Sequence, residues 1–86
     1  MNEANKLPIA ELEGLLEKFT ERLTGEATPE RIELVKLWCL FGHMQRVMPP
    51  LVQHWASVAE HQEAKAKLRE INEQIKQWNQ ELHKKE

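Results

Sequence analysis

Where this chain is interrupted decides most of what it can become. Proline and glycine occur together or near one another at two internal places only, Gly25 with Thr28-Pro29 and then Pro49-Pro50, and from Leu51 to Lys84 neither residue occurs at all. Glycine frees the backbone and proline removes a donor and fixes φ, so these positions mark the ends of regular structure. They divide the 86 residues into three uninterrupted segments. A sheet protein needs far more turns than that, and 41% apolar with 30% charged residues is too apolar for a disordered chain. The expected class is all-α, in one domain, because a chain this short leaves no room for a second core.

Within each segment the apolar spacing agrees. Ile9, Leu12, Leu15, Leu16, Phe19 and Leu23 return every three or four residues and predict a first helix over about 8–24, ended by Gly25. Thr28 as N-cap and Pro29 at the first helical position predict a second helix over about 28–48. That helix carries apolar residues on two faces, Leu34, Leu37, Trp38, Phe41, Met44 and Met48 on one and Ile32, Val35 and Cys39 on the other, so it requires two partners. The third segment predicts one long helix over about 50–84, some 50 Å at 1.5 Å per residue, against about 30 Å for the second.

A helix that outruns its neighbours in this way leaves its end without an intrachain partner. Ala64, Leu68, Ile71, Ile75, Trp78 and Leu82 follow a 4, 3, 4, 3, 4 spacing, the heptad seam of a coiled coil. The sequence therefore predicts a helical hairpin with a protruding third helix, joined to a second copy as a dimeric bundle or coiled coil through those six residues. Trp78 is the expected anchor, with Trp38 and Trp55 assigned to the intrachain core. N-terminal to Ala64 the seam changes phase through Leu51, Trp55, Val58 and His61, which resembles a stammer.

Charge and chemistry narrow the function. A net charge of −2 supplies no positive field for phosphates, and the lysines of the third helix are diluted by glutamates, so nucleic-acid binding is a secondary reading. Glu11, Glu13, Glu17 and Glu21 give the first helix an acidic surface suited to a basic partner. Cys39 with His43, and His54 with His61, share helical faces, yet no metal motif frames them, and a metal-binding role ranks below the nucleic-acid one. Ser57 between His54 and His61 lacks an oxyanion donor, since amides inside a helix are already bonded, so no catalytic residues and no cofactor are expected. A single cysteine, a polar start and no long apolar run point to the cytoplasm and away from membranes. What remains is a small non-enzymatic protein-binding module, a regulator, inhibitor, adaptor or assembly chaperone, whose partners are itself and another protein.

Overall fold

The computed structural model describes residues 7–84, so the polar start of the chain lies outside it. Its elements are α1 (Ile9–Thr24), α2 (Pro29–Val47), α3 (Pro49–Ser57), a single 3-10 turn (Ala59–His61) and α4 (Gln62–Lys84). No strand occurs among the described residues. The fold is all-α.

The two hairpin ends form as the local chemistry requires. Gly25 takes φ 93°, in the left-handed region, and its N–H donates to the Glu21 carbonyl at 2.8 Å. Thr28 then accepts from the Arg31 amide through its hydroxyl at 3.2 Å, with Pro29 in the first turn of α2. At the other end Met48, at φ −139° and ψ 66°, closes α2 and precedes the prolines that open α3.

The third segment departs from the expected single helix. It breaks at Val58, whose ψ of 134° is extended, and the chain turns through Ala59–His61 before α4 begins. Side chains hold the break. His61 Nδ1 donates to the Trp55 carbonyl at 2.8 Å, and its ring stacks on the Trp55 indole at 4.6 Å. Gln62 Nε2 donates to the carbonyls of Ala56 and Val58. These bonds satisfy the free carbonyls at the end of α3, which makes stopping the helix there inexpensive. The change of phase in the sequence is thus a corner, not a stammer in a continuous helix.

That corner also corrects the protruding helix. Freed from α3, α4 runs back antiparallel to α2 and lies against both α1 and α2, so the hairpin covers it. Val35, Ile71 and Ile75 form the buried cluster, with Val35 at 0% and Ile75 at 1% exposure, and Leu16, Leu23, Leu34, Trp38 and Trp78 pack around it. Polar bonds fix the register. Trp38 Nε1 donates to Asn72 Oδ1 at 2.9 Å, and Asn79 Nδ2 donates to the Leu23 carbonyl at 2.8 Å. Arg31 donates to the Thr24 carbonyl at 2.8 Å while its guanidinium lies 4.1 Å over the Trp78 ring. Arg31 and Asn79 between them occupy carbonyls that the end of α1 leaves free. The resulting body measures 50 × 36 × 20 Å, and its shortest dimension is two helix diameters.

Candidate association surfaces

The core that closes this fold is small. Among the described residues only Val35, Val52, Ile71 and Ile75 are buried apolar side chains. Much of the apolar surface that periodicity assigns to an interior lies outside.

On α1 the inward residues are not the leucines. Thr20 and Thr24 are the buried side chains of this helix, and each hydroxyl lies within 2.9 Å of the carbonyl four residues back. A threonine is small and can satisfy its own hydroxyl in this way, so two helices can approach closely along it. Leu12, Leu15 and Phe19 lie about 80 to 140° around the helix from Thr20 and are exposed, Leu15 at 64%. The acidic residues Glu11, Glu13, Glu17 and Glu21 are exposed too, mostly on the remaining arc.

A second bare surface belongs to α2. Val35 points into the core, and Leu37, Leu40, Met44 and Val47 lie about 120 to 180° around the helix from it. Their spacing of 3, 4, 3 is that of a heptad seam. Met48 and Leu51 extend it where α2 meets α3, and all six are between 44% and 61% exposed. The sequence had placed Leu37, Met44 and Met48 in one broad face with Leu34, Trp38 and Phe41; the structure splits that face, turning the latter three toward α3 and α4 and leaving the former bare.

The expected association seam fares differently. Ile71 and Ile75 are in the core, Leu68, Trp78 and Leu82 are half-buried, and Ala64 is exposed. The premise that nothing in the same chain covers this seam is overturned, because α1 and α2 do so. Trp78, the expected anchor, sits under Arg31 of its own chain. The signal that would have revealed this is the amide pair Asn72 and Asn79 beside the seam, each bonded within the chain.

An open cleft of about 630 Å³ separates the first half of α4 from the second half of α2 and from α3. Phe19, Trp38, Phe41 and Leu68 give it an apolar floor, and Arg46, Lys65 and Arg69 stand among its lining residues. Cys39 and His43 line it as well, and partial burial pushes the Cys39 thiol above its usual range. His61 is taken up with Trp55, and the Ser57 hydroxyl donates to the backbone carbonyl of His54 at 2.8 Å and not to an imidazole. Among the described residues no three His, Cys, Asp or Glu side chains converge as a metal site would require. No described helix is long and apolar enough to cross a membrane.

No solved structure matches this chain. The chain is similar to the "Uncharacterized protein YusU" of Bacillus subtilis (strain 168), which is 46% identical over 70 residues, covering 81% of this chain and 72% of that protein. A family model, described as "Protein of unknown function (DUF2573)", matches residues 6–85, and the chain belongs to that family.

Proposed function

We propose that this protein is a non-enzymatic binding module that acts by presenting helix faces to other polypeptides, as a regulator, inhibitor, adaptor or assembly chaperone in the cytoplasm. The observation that carries this reading is the bare seam of α2, Leu37, Leu40, Met44 and Val47, continued by Met48 and Leu51. Contiguous exposed apolar patches of this kind mark interaction sites, because a soluble chain gains nothing by keeping them in water. Helix-in-groove and helix-on-helix recognition both use residues at this spacing. Methionines at two of the six positions suit such a face, since their flexible side chains adapt to the partner. The Ser57 hydroxyl is engaged with the His54 carbonyl and is not held by a neighbouring imidazole, as an activated nucleophile would be.

The test is the size of the species that contains this chain in native extract of its own cells, with and without Leu40→Glu. The expected result is migration well above 10.1 kDa for the unmodified chain and a return toward that mass for the variant. Migration of the unmodified chain at its own mass would refute the reading.

A further inference from the structure

We infer that the occupant of the α2 seam is a second copy of this chain, laid antiparallel on the first across a two-fold axis at the level of Gly42. The inference rests on the binding reading above and names its partner.

Surface area argues for a partner of substantial size. A compact monomer of 10.1 kDa exposes about 5,300 Å², whereas this chain exposes 7,010 Å². The Cα radius of gyration, 15.5 Å, likewise exceeds the roughly 12 Å expected for 86 residues. A standard interface takes about 800 Å² from each partner, so half of this surplus of about 1,700 Å² suffices for one. The surplus is therefore of the size that a stable dimer needs.

Spacing argues that the partner is this chain itself. Leu37, Leu40, Met44 and Val47 are symmetric about position 42, so an antiparallel two-fold axis sets Leu40 against the partner's Met44 and Leu37 against the partner's Val47, each pair made twice. A self-complementary patch is what a two-fold interface requires. Charge selects the direction. Glu30 and Glu33 continue the seam toward the start of α2 and are exposed. Parallel pairing would set each glutamate against its own copy, while antiparallel pairing carries them to the Met48 and Leu51 end of the other chain, where no carboxylate lies between Gln45 and Val58.

The experiment is sedimentation equilibrium of the purified full chain, followed by disulfide trapping. The unmodified chain should have twice the 10.1 kDa mass, and Leu40→Glu or Met44→Glu should weaken association more than about 100-fold with helicity unchanged, because each substitution enters the interface twice. Leu40→Ala, which removes bulk without adding charge, should weaken it to a smaller degree and guards against misfolding of the charged variants. In a Cys39→Ser background, Leu37→Cys combined with Val47→Cys should cross-link two chains on mild oxidation, while neither substitution alone should do so. Efficient trapping by Leu37→Cys alone would mean parallel pairing and overturn the proposal. A dimer indifferent to Leu40→Glu and Met44→Glu would overturn it while sparing the binding reading, as would a purified monomer that migrates in a larger complex in extract. A monomer in both settings would end both.

Discussion

Ile75→Ala separates the two roles that the α4 seam was eligible for. Ile75 is 1% exposed and packs with Val35 and Ile71 in the buried cluster between the hairpin and α4. Truncating a buried isoleucine to alanine removes its transfer free energy and leaves a cavity, together about 2 to 5 kcal/mol. A core of so few buried residues has little material with which to collapse, so the expected loss is about 3 to 4 kcal/mol. For a chain of 86 residues the whole stability is on the order of 4 to 13 kcal/mol, so this is a large fraction of it. Urea unfolding followed by circular dichroism should show the midpoint falling by about 1 to 4 M at an unchanged slope. The control is Leu15→Ala on α1, equally a heptad-like leucine by sequence but 64% exposed, whose cost in the same assay should stay within about 0.5 kcal/mol at low protein concentration. The loss in Ile75→Ala should not diminish as protein concentration falls, because the contact is intrachain. Equal effects of the two substitutions, or a cost for Ile75→Ala below about 1 kcal/mol, would refute the placement of α4 against the hairpin.

Three further outcomes follow from the same packing. Thr20→Leu makes the α1 stripe more regular to the eye yet should destabilise by about 1 to 3 kcal/mol in thermal melts, since Thr20 is fully buried and the added carbons have no space. Asn72→Leu strips the Trp38 indole N–H of its acceptor and should cost about 1 to 3 kcal/mol, with a change in Trp38 fluorescence as an independent readout. Because burial raises the Cys39 thiol above its ordinary range, less of it is thiolate at pH 8; its alkylation should run slower than that of a free cysteine peptide, and the difference should vanish in urea.

How much of this was legible beforehand depended on whether a feature is local. The Gly25 turn, the Thr28 cap and the Pro49-Pro50 end of α2 each follow from one or two residues acting on their own backbone, and each is found where the sequence predicts it. The corner at Val58 was visible only as a change of phase. Its cause is the capture of α3 carbonyls by His61 and Gln62, which compensates the loss of helical bonds without any proline or glycine to announce it. Without that corner α4 would continue α3 away from the hairpin and leave its seam bare; with it, the seam lies against α1 and α2.

The deeper ambiguity is that α2 and α4 each carry a heptad seam and only that of α4 is drawn into the core. Leu37, Leu40, Met44 and Val47 are as regular as Leu68, Ile71, Ile75 and Trp78, and periodicity measures amphipathicity without saying what covers the apolar side. Polar neighbours decide between them. Beside the α4 seam, Asn72 and Asn79 have donor and acceptor partners at fixed places on α2 and α1, and Arg31 reaches across to Trp78, so that face has one register in which both asparagines are bonded. Among the described residues no such constellation stands beside the α2 seam. An apolar face without polar registration is satisfied by any complementary helix, and that is the condition under which a seam is left to an interface and not drawn into the core. A Leu40→Asn substitution tests this directly: with no intrachain partner for the amide, it should leave the unfolding free energy of the isolated chain within about 0.5 kcal/mol of its original value. A larger loss at low protein concentration would mean that α2 has an intrachain partner on that side after all.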